Sequence, residues 1–244
     1  MASLRVPSTI TLVFLVALAS AQRLPEAIVE TKVFHHPVSG PYVEVNTAIL
    51  GASVAHDQAV GLDQAKVELL VIVEKDAAIV DFRKVEVLGP PRTGEIAPDF
   101  LHSETFALLS GEYSLEVQVR DLNGSDTAFV QKRVLAIGAI SAPPVFSDIL
   151  LIASAGPARE GMTTHNGQYM EPYIGTYFPR EMPRLDLYTE LYGMDRAVGP
   201  DSLYLLSYQL EVHGTGTVVG NFRNSVRLKA RPVEPVLGGF DLAA

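Results

Sequence analysis

The feature that most constrains the fold of this chain is a strict two-residue alternation between apolar and polar side chains. In the segment 112–120 every second residue is apolar, and these residues are Tyr113, Leu115, Val117 and Val119. Successive side chains of a β-strand point to opposite faces of the sheet. The segment therefore predicts an antiparallel strand with one buried and one solvated face.

A tight turn is predicted directly after this strand. Asn123-Gly124 is a sequence typical of a two-residue hairpin turn, because both residue types tolerate positive φ angles. A return strand over 129–137 would complete the hairpin. Upstream, segments 67–74 and 79–88 flank Lys75-Asp76 and predict a second hairpin. Alternation slips near Arg83-Lys84 in the return strand, which indicates a β-bulge there.

Strand patterns recur along the rest of the chain, and sustained helical periodicity is missing. Further strand-like segments lie at 28–35, 42–50, 146–153, 185–192, 203–212 and 225–230. The pattern stops over 137–144, where Pro143-Pro144 interrupts the chain. We therefore expect an all-β fold of two tandem antiparallel β-sandwich domains, immunoglobulin- or fibronectin-like, over 22–139 and 140–244.

The end of the second predicted domain resembles an inner part of the first. Residues 106–109 (FALL) precede the last hairpin of the first domain, and residues 240–243 (FDLA) have a similar sequence. On this comparison we expect the second domain to lack its last hairpin. The alternative interpretation is that 238–244 is a frayed tail.

Residues 1–21 have the pattern of a secretory signal peptide. Arg5 supplies the positive charge, 10–19 is apolar, and Ala19-Ser20-Ala21 offers small residues at a cleavage site. The alternative is an uncleaved membrane anchor. The 16 residues between Arg5 and Gln22 would give a helix of only about 24 Å, against a hydrocarbon core of about 30 Å. We therefore expect an exported protein of the periplasm or cell envelope, membrane-bound only if the N-terminal helix is retained.

Composition excludes several kinds of protein. The chain has no cysteine, so it can form neither a disulfide nor a thiolate metal site. Its formal net charge of −9 argues against nucleic acid as a partner, because that affinity depends on Lys and Arg neutralising phosphates.

Motifs in both halves resemble a known bacterial family. Residues 41–45 (PYVEV) and 111–117 (GEYSLEV) are similar to the N-terminal region of GWxTD-domain proteins, and so are 182–185 (MPRL) and 188–192 (YTELY). The Gly-Trp-x-Thr-Asp domain itself is absent, since the chain has no tryptophan. The resemblance implies export and a β-rich fold; it implies no particular chemistry.

Sequence motifs for catalysis, cofactors and metals are missing. The chain has no Gly-x-Ser-x-Gly elbow and no Gly-rich phosphate loop before a helix. His35 and His36 would point to opposite faces of a strand. His56, His102, His165 and His213 stand alone in the sequence, which predicts solvated imidazoles and no metal site. Residues 121–126 resemble the start of a calcium loop, but Lys132 occupies the position where an EF-hand needs glutamate. We expect no cofactor.

Aromatic residues are the most suggestive feature for function. Seven of the nine tyrosines lie between Tyr169 and Tyr208. Four aromatic residues fall in the irregular stretch 161–183, and we predict that they bind a partner: Tyr169, Tyr173, Tyr177 and Phe178. Tyrosine offers a large contact area with a hydrogen-bonding tip, which suits protein or glycan recognition.

Two functions follow as hypotheses. The first is a non-enzymatic, exported interaction or structural module of the bacterial cell envelope, which binds a protein or glycan partner through its loops. The alternative is a fragment or subunit of a larger enzyme or assembly, anchored in the membrane if its N-terminal helix is not cleaved. No paired Asp/Glu motif of a glycosidase stands out in the sequence.

Overall fold

The chain has an all-β fold of antiparallel sheets in a β-sandwich-type arrangement, as the alternation predicts. The computed structural model describes residues 24–57, 61–124, 127–140, 142–158, 163–175 and 177–243. Strands hold 63% of the residues and helices 4%, so the missing helical periodicity indicated the fold class correctly. The expected signal peptide, 1–21, lies outside the described residues. Within them, no helix has the length and apolar character that a membrane crossing needs.

Sixteen strands, one short α-helix and one 3-10 helix (Gly51–Ser53) are the regular elements of the described residues. The strands and the α-helix are β1 (Ala27–His36), β2 (Gly40–Ile49), β3 (His56–Asp57), β4 (Gln64–Lys75), β5 (Ala78–Leu88), β6 (Phe100–Ala107), β7 (Gly111–Asp121), β8 (Ala128–Ile137), β9 (Val145–Phe146), β10 (Leu150–Pro157), β11 (Thr164–His165), β12 (Gln168–Pro172), β13 (Arg184–Tyr192), α1 (Met194–Val198), β14 (Leu203–Glu211), β15 (Val218–Lys229) and β16 (Val233–Asp241).

Two sheets form the first half of the molecule. One has the order β1-β2-β6; the other joins β3, β4, β7 and β8 in that order, with β5 paired to β4. Their inner faces share one hydrophobic core. Alternate residues of β2 and β7 contribute to it: Val43 and Val45 on β2, and Leu115, Val117 and Val119 on β7. The apolar face that the sequence predicts on β7 is therefore the buried face.

Two further sheets form the second half. A six-stranded sheet has the order β11-β12-β10-β13-β16 with β9 on β13, and β14 and β15 form a separate hairpin. The hairpin packs on the larger sheet, where the rings of Tyr208 and Phe222 contact Phe240 edge to face. Among the described strands, none pairs across residues 138–144. The domain bounds 22–139 and 140–244 stay a prediction.

The second half covers the outer face of the β1-β2-β6 sheet. Phe34 on β1 lies opposite Tyr42 on β2, and its side chain is 1% exposed. It is buried against Leu150, Met170 and Tyr188 of the second half. We call this contact between the two halves the seam, and it positions the candidate site described below.

The predicted hairpin over 67–88 is confirmed, but the turn lies one residue later than predicted. Asp76 and Ala77 have positive φ angles of 52° and 63° and connect β4 to β5 as a two-residue turn. The bulge was predicted at Arg83-Lys84, and the structure places it elsewhere in β5. Val73 pairs with Asp81 and Glu74 with Ile79, so the extra residue is Val80.

The predicted tight turn at Asn123-Gly124 is wrong. Neither residue has a positive φ, and β8 begins only at Ala128, so the connection after β7 is longer. The return strand itself is confirmed. In the second half, the predicted strand 146–153 is two strands, β9 and β10. Residues 238–241 belong to β16, paired with β13, and are therefore not a frayed tail.

Candidate functional site

Strand β2 presents its polar face to the seam. Its side chains alternate, so Val43 and Val45 enter the core while Glu44 and Asn46 point the other way. In the register between β2 and β6, Glu44 lies opposite Thr105 and Asn46 lies opposite Ser103. Four polar side chains of the first half therefore stand together where the second half covers the sheet.

The hairpin of β11 and β12 brings His165 to the same place. Asn166 and Gly167 form its turn with φ angles of 49° and 77°, a geometry that this residue pair favours. The segment 161–183 is thus not wholly irregular, as the sequence suggested. The ring of His165 is held between Phe34 and Tyr188, with centroid distances of 4.7 and 4.9 Å.

Glu44 and His165 form a buried pair between the two halves. The distance from His165 Nε2 to Glu44 Oε1 is 3.2 Å, and each residue is only 2% exposed. The two groups are close enough for an ion pair, but Glu44 Oε1 has no hydrogen-bond partner. The expectation that His165 is a solvated surface imidazole is wrong.

A half-open cleft of about 220 Å³ lies beside this pair; we call it the seam cleft. Ser103 Oγ donates a hydrogen bond to Asn46 Oδ1 at 2.6 Å. Asn46 is fully buried, yet its Nδ2 has no hydrogen-bond partner, and neither does His165 Nδ1. Buried polar groups are nearly always hydrogen-bonded, so these two atoms mark positions suited to a polar ligand.

The rim of the seam cleft combines polar and apolar side chains. Thr163 contacts Thr105 through their hydroxyls at 3.3 Å, and His102 Nε2 lies 2.7 Å from Glu104 Oε1. The remaining lining residues are apolar or aromatic: Leu101, Tyr169, Met170 and Pro172. Burial, and then the nearby Glu171 carboxylate, raise the pKa of Tyr169. Its phenol therefore stays protonated and can donate a hydrogen bond.

A second polar group lies further along the seam, on β13. Glu190 accepts hydrogen bonds from the hydroxyls of Tyr188 at 2.7 Å and Tyr192 at 2.5 Å. The Tyr192 hydroxyl in turn accepts a bond from the backbone N–H of His35 at 2.8 Å. Burial is the main cause that raises the pKa of Tyr188 and Tyr192, followed by the hydrogen bond to Glu190. Of these bonds, the one from the His35 N–H to the Tyr192 hydroxyl joins the two halves.

The structure divides the four predicted binding residues between two places. Tyr169 lies on β12 and lines the seam cleft. Tyr173, Tyr177 and Phe178 follow β12 and form their own cluster: the rings of Tyr173 and Phe178 have centroids 4.7 Å apart, and the Tyr173 hydroxyl donates to the Tyr177 carbonyl. Tyr177 is 71% exposed. Their role in binding stays a prediction.

Sequence reasoning missed Glu44, Asn46 and His165. Glu44 and Asn46 lie on β2 and His165 lies on β11, far away in the chain, and no spacing rule connects the two strands. One signal was present: Asn166-Gly167 next to a histidine predicts a hairpin that fixes the position of His165. Among the residues that the structure describes, no three His, Cys, Asp or Glu side chains gather closely enough to hold a metal ion.

The arrangement offers hydrogen-bonding groups of both kinds beside an apolar wall, which is the chemistry of a binding pocket for a small polar group. Comparison with known proteins adds no relative: no protein-family model matches the chain, and no curated protein matches it either. The seam cleft, the cluster of Tyr173, Tyr177 and Phe178, and the sequence patterns are therefore the features that indicate a function.

Proposed function

We propose that this chain is a non-enzymatic, exported interaction module of the bacterial cell envelope that binds a protein or glycan partner. The observation that carries the proposal is the aromatic surface on and after β12. Tyr169 lines the seam cleft, and the exposed Tyr177 projects from the loop that follows. Tyrosine side chains with a free edge are enriched where proteins bind partners.

The envelope location rests on two sequence patterns. Residues 1–21 have the charge and apolar pattern of a signal peptide. Segments 41–45 and 111–117 resemble the exported GWxTD-domain proteins. Intact-mass measurement of the protein from its native host tests the first pattern, because cleavage after Ala21 removes the whole segment.

A capture experiment tests the binding role. The mature chain is compared with a triple variant, Tyr169→Ala, Tyr173→Ala and Tyr177→Ala, as bait for proteins and glycans of an envelope extract. Phe82→Ala is the matched control, because Phe82 is an exposed aromatic residue on a different sheet. We expect the triple variant to lose the partners that the parent and the control retain. Identical capture by all three baits, with unchanged circular dichroism, would remove the aromatic surface from the proposal.

An enzyme subunit is the second candidate, and the Glu44–His165 pair favours it. A carboxylate next to an imidazole is a feature of many general-base sites. The hydrolysis of envelope glycans, followed as the release of reducing ends, separates the two functions. Turnover that disappears in His165→Gln and persists in His213→Gln, a variant at an exposed histidine, would establish the enzyme.

A further inference from the structure

We infer that the seam cleft is a binding site for a single neutral, hydroxyl-bearing ring, as found at the end of a glycan. This inference rests on the proposed binding function and names its ligand class. It is carried by the size of the cleft, the hydrogen-bonding groups inside it, the charges that line it and its apolar wall.

The size of the seam cleft limits the ligand to about one ring. Pockets for drug-sized ligands span about 300–1,000 Å³, and the seam cleft has about 220 Å³. A polysaccharide chain does not fit inside it. The cleft is half open at the seam, so a terminal ring can enter while the rest of a longer ligand stays outside.

The hydrogen-bonding groups favour hydroxyls. Ser103 Oγ forms a hydrogen bond with one of the two polar atoms of the Asn46 side-chain amide. The other polar atom has no partner, whichever of the two amide orientations is present. Glu44 offers a carboxylate that accepts, and His165 Nδ1 is without a partner. A hydroxyl group both donates and accepts, and can therefore satisfy all three groups. A ring with several hydroxyls can contact more than one of them at once.

The charges in the seam cleft argue against ionic ligands. Glu44 would repel an anion, and among the described residues that line the cleft none is lysine or arginine, the side chains that recognise phosphate or carboxylate groups. A cation would compete with His165, which already contacts Glu44 at 3.2 Å. A neutral ligand leaves that buried pair intact.

The apolar wall suits the flat side of a sugar ring. Tyr169, Met170, Leu101 and Pro172 all line the cleft; Met170 and Pro172 share one face of β12, and Tyr169 is on the other face. An aromatic ring offers a large apolar face with a polar tip, which matches a ring that has C–H groups on one side and hydroxyls at its edge. The Tyr169 hydroxyl is a hydrogen-bond donor at neutral pH, as an ordinary tyrosine is, and burial raises its pKa further.

Saturation-transfer NMR on the full mature chain tests the inference. The probes are glucose and N-acetylglucosamine as neutral rings, glucosamine as a cationic ring and glucose 6-phosphate as an anionic one. We expect saturation of the neutral rings with a dissociation constant on the order of 1 mM, and at least tenfold weaker binding of the phosphate. Addition of a neutral ring should also shift the ring resonances of His165.

Two pairs of variants locate the binding. Ser103→Ala and Tyr169→Ala alter the seam cleft without removing a fully buried residue, and each should weaken binding about tenfold. Ser207→Ala and Phe82→Ala are their controls, since Ser207 makes a comparable hydroxyl contact with Ser225 on the distant hairpin and Phe82 is an exposed aromatic residue on β5. Both controls should bind like the parent.

The inference is overturned if no neutral ring shows saturation transfer at a concentration of roughly ten times the expected dissociation constant. It is also overturned if glucose 6-phosphate binds as well as glucose, or if the cleft variants bind like their controls. The capture experiment separates this failure from a failure of the proposed function. Tyrosine-dependent capture without sugar binding retains the module and removes the cleft from its mechanism. Sugar binding without tyrosine-dependent capture retains the cleft as a sugar-binding site and removes the aromatic surface from the proposed function.

Discussion

Three polar residues of β2 are buried, and their side chains meet different surroundings. Glu44 and Asn46 point into the seam, where His165 and Ser103 contact them. Thr47 points the other way, between the core residues Val45 and Ile49. Its hydroxyl has no hydrogen-bond partner. A buried hydroxyl without a partner loses its hydrogen bonds to water and forms none in the protein. The Thr47 hydroxyl therefore lowers the free energy of unfolding.

Thr47→Val should therefore stabilise the protein. Valine keeps the branched shape and suits a strand, and it removes the unpartnered hydroxyl. We expect the free energy of unfolding to rise by about 1 kcal/mol, measured by urea denaturation with an unchanged slope.

Thr189→Val is the matched control for this prediction. Thr189 is also a buried threonine on a strand, but its hydroxyl lies 3.0 Å from Ser147 Oγ. We expect this substitution to lower the free energy of unfolding by about 1 kcal/mol. Equal effects of the two substitutions would show that the hydroxyl of Thr47 has a partner in solution.

At the scale of one element, β13 connects both cores of the second half. Leu187 and Leu191 on one face are buried on the side of the β14–β15 hairpin, and Tyr188, Glu190 and Tyr192 on the other face enter the seam. The hydrogen bonds of Glu190 need both phenols protonated. These bonds stay within β13, and the Tyr192 hydroxyl joins the halves by accepting the hydrogen bond from the His35 N–H.

Alkaline pH should weaken the fold through these tyrosines. Burial raises the pKa of Tyr42, Tyr188 and Tyr192 in the folded chain, while an unfolded tyrosine loses its proton near pH 10. Above that pH the unfolded chain binds fewer protons, so stability is full below about pH 10 and falls as the pH rises. Each such tyrosine contributes a slope of about 1.4 kcal/mol per pH unit.

Urea unfolding at a series of pH values between neutral and strongly alkaline measures this slope. Tyr192→Phe should reduce it by the contribution of one tyrosine, whatever the substitution costs at neutral pH. Tyr177→Phe, at an exposed position, should leave it unchanged. A slope that is the same in the parent and in Tyr192→Phe would contradict the account of β13.

Two hairpins show how far turn signals in the sequence can be trusted. Lys75-Asp76 predicted a turn that forms one residue later, at Asp76 and Ala77. Asn123-Gly124 was the stronger signal, yet no tight turn forms. The Asp121 carboxylate accepts from the Ala55 N–H at 2.6 Å, and the Asn123 amide donates to the carbonyls of Ala55 and Gln64. These long-range bonds override the local preference.

At the scale of the whole molecule, the seam could not be predicted from the chain. Alternation identifies which residues of β2 share a face, and it correctly separates Val43 and Val45 from Glu44 and Asn46. Alternation cannot tell whether a polar face contacts water or another part of the protein, because water and protein groups can both form hydrogen bonds with its side chains. The fold class was therefore predictable, and the Glu44–His165 pair was not.

The seam should make the two halves unfold as one cooperative unit. Phe34 is buried by residues of the second half, and separating the halves would expose it together with the Glu44–His165 pair. The chain has no tryptophan, and seven of its nine tyrosines lie between Tyr169 and Tyr208, so tyrosine fluorescence reports mainly the second half. Hydrogen exchange of amides in β4 and β7 reports the first half.

Both probes should give the same urea midpoint in the parent chain, since coincident transitions are the mark of a two-state unit. Phe34→Asp places an unpaired carboxylate in the seam, and a buried charge without a partner is strongly unfavourable. This variant should separate the two midpoints, whereas Phe82→Ala on the outer, exposed face of β5 should keep them together. Separate transitions in the parent would mean that the halves are stable independently.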